Sequence, residues 1–372
     1  MSKFDRVWRS LEATVASGWA PGIVAGARHD GETEIFATGA YAFDSDRPMQ
    51  PDTPFRIASL SKMIAGALAA SMIADGTIGL DDPVEEWLPE LANPRVLVRP
   101  DGQLDQTVPA IGPITVRHLL TSTMGQGVSF ADTPLAAEVS QFAYGPIPPR
   151  MTAHEYLGRL SALPLAHQPG ERWMYHTSAD ILSILITRAA GRPLHEVLHA
   201  RITGPLGMRS TGFFTDAQLP TSYRPTPGGL VVFDEYDFGF SRPPQFQSLA
   251  GGLVSTVPDF LAFLIALADD TLLPAEIGDQ LKSDQLSPGQ RIGMTEMAGP
   301  TRSWGWQLSI QTANDEPWTE PGRYGWTGGA GTSAFVDPAR DLIGVVLTQR
   351  FMAGPNESFA YFWEPLAVVA AI

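Results

Sequence analysis

Ser59 and Lys62, three residues apart in Ser59-Leu60-Ser61-Lys62, are the pair in this chain best suited to covalent chemistry. Of 25 lysines and arginines only Lys3, Lys62 and Lys282 are lysine. Lysine is the cation that burial can turn into a neutral amine, whereas arginine keeps its proton. The Ala/Met/Leu/Ile-rich run from about Ser59 to Asp75-Gly76 reads as helix, so side chains three apart share a face. A hydroxyl beside an amine is a nucleophile with its base. Neutrality near pH 7 requires lowering a lysine from about 10.4 by several units, at about 1.36 kcal/mol each. An S-x-x-K spacing also arises by chance, with an exposed helix lysine as the plain alternative, so the surroundings must decide.

Two further segments could complete an acyl-transfer site. Gly170-Glu171-Arg172-Trp173-Met174-Tyr175-His176-Thr177-Ser178-Ala179-Asp180 offers Tyr175 on a turn before a helix expected over 181–190, with a phenol able to share a proton with lysine and substrate. Tyr324-Gly325-Trp326-Thr327-Gly328-Gly329-Ala330-Gly331-Thr332 is a glycine-rich segment leading into a strand, a source of backbone N–H donors for a developing oxyanion.

The elements that must position these residues can be read coarsely. Gly22 to Ala27 and Thr33 to Ala37 are β-rich runs joined by His29-Asp30-Gly31-Glu32, a hairpin signal. Residues 59 to about 220 are helical in pattern. Strands are expected over 304–310, 331–336 and 343–348, and a closing apolar helix from Phe359 to Ile372. Strands at both ends with helices between imply an α/β domain with a helical insertion: 1–58 with 240–372, and a mostly helical 59–239 that begins with the serine helix. Ser222 to Gly229 and Phe238 to Phe246 read as long irregular loops, and loops 97–112, 126–150 and 222–248 would set the substrate.

At 372 residues, 44% hydrophobic and 17% charged, the chain can bury a large core. Its net charge of −15 disfavours nucleic acid and anionic membranes as partners. The absence of cysteine excludes thiol catalysis and cysteine-based metal sites. The start lacks an apolar signal core, and the longest strongly apolar run, Phe260 to Ala268, is about half a bilayer span, so a cytoplasmic protein is expected.

Taken in order, the motifs resemble the serine β-lactamase and penicillin-binding-protein superfamily, whose S-x-x-K is followed by a tyrosine motif and a glycine-rich strand. Leu80-Asp81-Asp82-Pro83-Val84, Leu88-Pro89-Glu90-Leu91, the stretch Ile114 to Gly125, Pro205-Leu206-Gly207-Met208, Gly251 to Thr256 and Val336-Asp337-Pro338 are similar to family segments in the same order, covering about Ile23 to Arg350. Within the superfamily the chain looks most like class C β-lactamase-like proteins, the family VIII carboxylesterases in particular. Tyr175 to Asp180 resembles the esterase Y-S-x-A-T-D, and Trp326 stands where β-lactamases and peptidases carry Lys or His. A cation there receives a substrate carboxylate; tryptophan cannot.

The resemblance implies a β-lactamase-like (DD-peptidase-like) fold, an antiparallel sheet flanked by helices plus a mostly helical domain. It implies Ser59 as nucleophile, Lys62 as base and Tyr175 as proton relay. The N–H groups of Ser59 and Gly329 would form the oxyanion hole, and Trp326, Thr327, Gly328 and His176 the pocket, without metal or organic cofactor. The activity expected is hydrolysis of carboxylic esters of small to medium acyl groups, with amide or β-lactam hydrolysis, or acyl transfer, as alternatives at the same residues.

His195-Glu196-Val197-Leu198-His199 matches H-E-x-x-H, a zinc-binding pattern on a helix. No further G-x-x-H follows and the next glutamate is Glu235, so a zinc hydrolase is the remote alternative. His118 is expected to be a structural hydrogen-bonding residue. Arg350 could meet an acidic substrate group or pair with a carboxylate. Trp304 and Trp306 are expected near the cleft edge.

Overall fold

The computed structural model describes residues 2–129, 131–143, 145, 147–234 and 239–370. Seven strands form one antiparallel sheet: β1 (Gly22–His29), β2 (Glu32–Gly39), β3 (Arg302–Trp304), β4 (Ser309–Gln311), β5 (Tyr324–Gly328), β6 (Thr332–Asp337) and β7 (Leu342–Thr348). Their order is β2-β1-β7-β6-β5-β4-β3, so the first and last strands in sequence are neighbours, in register Ile23↔Thr348. The β1–β2 turn is Asp30-Gly31, both at positive φ, as the sequence implied.

Alternation along β1 shows why the sheet needs cover on both faces. Ile23, Ala25 and Ala27 join Phe4, Val7, Leu11, Trp363 and Leu366 of the terminal helices, while Val24 belongs to the main core on the other side. On that side a Cβ on Gly26 would strike Val257 and Leu261, because the helix Val257–Ala268 lies directly on the strand.

The helix Ser61–Ala74 is buried on every side from Ser61 to Ala70, which a composition free of polar side chains from Met63 to Ala70 allows. It packs against the helix Thr177–Ala190. It ends before Gly76 at φ 75°, as the Asp75-Gly76 signal implied.

The structure corrects four readings. The expected strand 304–310 is two strands, because Gln307 takes a positive φ and folds Trp304 back onto Ser309. Ser222 to Gly229 is not irregular: Ser222–Thr226 and Gly229–Asp234 pair as a hairpin, its prolines tolerated because the two-stranded ribbon is all edge. Loops 97–112 and 126–150 contain a strand pair, Arg95–Leu97 with Thr107–Pro109, and a helix, Pro134–Val139. The closing helix opens as a π-turn, Phe359–Trp363, and continues as α-helix Glu364–Val369; its expected last two residues, and Phe238 of the second expected loop, lie outside the described residues. No helix among the described residues is long and apolar enough to cross a membrane.

Candidate active site

Ser59 sits in a single 3-10 turn, Ala58–Leu60, from which the helix Ser61–Ala74 continues. Ala58 is held at φ 45°, a left-handed conformation costing a non-glycine residue about 1 kcal/mol or more. Strand β5 passes directly over this turn. A Cβ on Gly328 would lie 2.4 Å from Ile57 O and 3.2 Å from Ser59 N, so only glycine lets the strand come this close. Thr332 Oγ1 donates to Ile57 O at 2.9 Å and ties β6 to the same place. The two backbone segments expected to supply oxyanion donors, at Ser59 and Gly329, thus border one cleft.

Lys62 is 1% exposed. Its Nζ lies 3.3 Å from Ser59 Oγ, 3.3 Å from His176 Nδ1, and donates to Ala250 O. Burial pulls its pKa down to about 7, opposed by attraction to Asp180. At neutral pH a large share of the lysine is therefore an amine with a lone pair.

Tyr175 and His176 owe their placement to a γ-turn. His176 adopts φ 80° and ψ −65°, and Thr177 N donates to Tyr175 O at 3.1 Å across it. Such a conformation costs on the order of 1–3 kcal/mol and has to be held by its surroundings. The turn points the phenol at the cleft and the imidazole at Lys62. Burial pushes the Tyr175 phenol up to about 12, moderated by hydrogen bonds with Ser59 and Trp326, so it is a neutral donor. Lys62 Nζ faces the Tyr175 ring, 4.7 Å from its centroid.

Trp326 lines the cleft and does something the sequence did not suggest: its Nε1–H donates to Tyr175 Oη at 2.7 Å. Trp304 and Trp306 correct the expectation that they edge the cleft. Both are fully buried; Trp304 stands perpendicular to Trp326 and braces it from behind.

Asp180, to which the motif reading assigned no role, is completely buried. It accepts from Tyr156 Oη at 2.8 Å and from Ser248 Oγ, and faces His176 Nε2 at 3.5 Å. Burial raises its pKa to about 6, against the pull of these bonds.

The cleft, about 470 Å³, is bordered by Ser59, Val128, Tyr175, His176, Trp326, Thr327, Gly329, Met352 and Pro355. Among the described lining residues none is lysine or arginine, and Glu296 is the acidic one. Arg350 pairs with Glu357 and lies over the Trp19 ring. His118 accepts from Thr115 N in a capping box, a structural role. His195 bonds Gln247 and His199 bonds Thr203, and no group of three metal-ligating side chains occurs among the described residues.

The Beta-lactamase family model matches residues 9–363. Esterase EstB of Burkholderia gladioli is 31% identical over 358 residues, covering 88% of this chain and 86% of its own. The lovastatin esterase of Penicillium rubens is 28% identical over 82% of each chain. The solved structure of EstCE1, described as a hydrolase with promiscuous acyltransferase activity, superposes with a TM-score of 0.83 at 24% identity over 99% of this chain and 98% of that one. The fold shared with EstCE1, the family match and the kinship with EstB agree: the chain belongs to the beta-lactamase family and is a serine hydrolase with the antiparallel, helix-flanked sheet of that family.

Proposed function

We propose that this protein cleaves carboxylic esters of small to medium acyl groups through an acyl-enzyme on Ser59. The observation that carries the reading is a lysine held near neutrality within 3.3 Å of a serine hydroxyl, in a cleft without a described lining cation. Lys62 takes the Ser59 proton as Oγ bonds to the ester carbonyl carbon. The N–H groups of Ser59 and Gly329 receive the negative oxygen. As the C–O bond to the alcohol breaks, the neutral Tyr175 phenol gives the leaving oxygen its proton and recovers one from Lys62. Water then attacks the acyl carbon and gives a proton to Lys62; the bond from that carbon to Ser59 Oγ breaks, Oγ takes the proton back from Lys62, and the carboxylic acid leaves. With Trp326 in place of a cation, no charge at that position recruits a substrate carboxylate, which favours neutral esters over β-lactams and D-amino acid peptides.

A second reading, transfer of the acyl group to an alcohol, is favoured by a second cavity of about 500 Å³. It shares Val128, Tyr175, Glu296 and Met297 with the cleft and leaves room for an acceptor. EstCE1's described acyltransferase activity accords with it.

The test is hydrolysis of p-nitrophenyl acetate and butyrate, with and without added alcohol, beside nitrocefin and an anilide. Ester turnover is expected, falling at least 10³-fold in Ser59→Ala of unchanged circular dichroism, together with a Ser59 peptide heavier by the acyl group in the wild type. Undiminished turnover in Ser59→Ala, or an adduct elsewhere, overturns the proposal; ester products formed from the added alcohol select the transfer reading.

A further inference from the structure

Among the described residues the Lys62 amine has three polar neighbours, and their chemistry assigns each a direction. A neutral amine carries two N–H donors and one lone pair. Ala250 O can only accept and takes one N–H. His176 Nδ1 can take the other only if the imidazole proton is on Nε2, and Nε2 faces the Asp180 carboxylate. The lone pair is then left for the third neighbour, the Ser59 hydroxyl.

Both N–H acceptors are anchored to the same carboxylate. Asp180 Oδ1 accepts from Ser248 Oγ, and Ser248 Oγ accepts from Ala250 N at 3.0 Å, which fixes the residue whose carbonyl faces Lys62. Asp180 Oδ2 faces the imidazole and is fixed from behind by Tyr156 Oη. His176 is 4% exposed and stands between the buried carboxylate and the buried amine.

We infer that His176 is a positioning residue: held by Asp180 in the Nε2–H tautomer, it aims the lone pair of Lys62 at Ser59 and keeps Asp180 from binding the lysine directly as an ion pair. This rests on the proposed role of Lys62 as base. Burial and the nearby Lys62 both hold the imidazole well below its usual pKa, consistent with a neutral ring. The other titratable groups around the ring are Tyr175 on the same turn and Tyr156 behind Asp180, both raised by burial and therefore neutral.

The γ-turn dictates the variants. His176→Gly tolerates positive φ and removes the ring, whereas His176→Asn also tolerates it and returns an oxygen acceptor near the place of Nδ1. In ester hydrolysis from pH 5.5 to 9.5, kcat of the wild type is expected to rise through about pH 7, where Lys62 becomes neutral. In His176→Gly water enters beside the lysine and stabilises its ammonium form. The rise should then move up by about one unit and the plateau fall on the order of 10²-fold, with KM within about threefold. His176→Asn should recover at least about tenfold of that plateau. Asp180→Asn, whose amide N–H turns the imidazole proton toward Lys62, should lose kcat comparably without the upward shift, since it removes the charge that favours the ammonium. An unshifted profile in His176→Gly, or His176→Asn no better than His176→Gly, overturns the inference. If His176→Gly does not fold, Asp180→Asn decides alone, wild-type kcat overturning it. Activity surviving in Ser59→Ala would instead remove the underlying reading, so the two failures are distinguishable.

Discussion

At the scale of single residues, the site pairs groups whose neighbours decide their charge. Lys62 is lowered by burial to about 7 and Tyr175 raised by it, so near pH 7 the phenol is neutral, a large share of the lysine is too, and both can exchange protons with substrate oxygens. Trp326 adds one directed N–H bond to the phenol, which in the proposed mechanism would stabilise the phenolate formed when Tyr175 protonates the leaving group. Trp326→Phe keeps an aromatic ring beside Trp304 and removes that bond together with part of the indole's volume. It is expected to lower kcat about tenfold, matching ~1–1.5 kcal/mol for a lost hydrogen bond to developing charge, with KM changed less than twofold. A larger change in KM than in kcat, measured on p-nitrophenyl butyrate, would show the indole to be a pocket wall only. Ser59, Lys62 and Tyr175 could be picked from the sequence because their types and spacing already suggest a reaction. The indole bond and the Asp180 anchor could not, since Trp326 meets Tyr175 across 151 residues and Ser248 meets Asp180 across 68. No local pattern encodes such meetings.

At the scale of elements, the site is where a helix start and a strand edge approach more closely than side chains allow. Gly328 lies at that approach, Gly66 at a second close approach farther along the serine helix, and the two separate function from stability. A Cβ on Gly328 would lie 2.2 Å from Thr332 Oγ1 and 2.4 Å from Ile57 O, pushing β5 off the serine turn. A Cβ on Gly66 would lie 2.1 Å from Trp306 O, forcing the serine helix off the segment between β3 and β4. Gly328→Ala is therefore expected to cut kcat about 10²-fold or more with a modest fall in Tm, because a shift of about 1 Å in the oxyanion donors suffices for that loss. Gly66→Ala is expected to lose about 2–4 kcal/mol of stability, read from denaturant midpoints, because the added Cβ would meet a backbone carbonyl in a packed core. If the two variants show the same ratio of lost activity to lost stability, this division is wrong. The β1–β2 hairpin, β6 and β7 were legible because short β-rich runs and Asp30-Gly31 are local signals. The break between β3 and β4 was not, because Gln307 takes its positive φ while its amide N–H bonds Leu120 O, a carbonyl 187 residues away.

At the scale of the whole molecule, the net charge of −15 acts on substrates before any contact is made. The cleft does not offset it: among its described lining residues there is no lysine or arginine, Glu296 is at its wall in an ion pair with Arg172, and Arg350 is engaged by Glu357. An ester whose acyl chain ends in a carboxylate thus meets a repulsive field on approach and no cation on arrival. Its KM is expected to exceed that of a neutral ester of equal length by about tenfold or more in 20 mM salt. Field and cleft can be told apart by screening, since the Debye length falls from about 10 Å at 0.1 M to about 3 Å at 1 M salt. If long-range repulsion sets the preference, the KM ratio shrinks severalfold on going to 1 M sodium chloride while the neutral ester is unaffected. A ratio that stays constant would place the discrimination within the cleft, at Trp326 and Glu296. An anionic ester preferred at low salt would contradict both, and with them the reading of Trp326 as the residue that leaves this site without a carboxylate receptor.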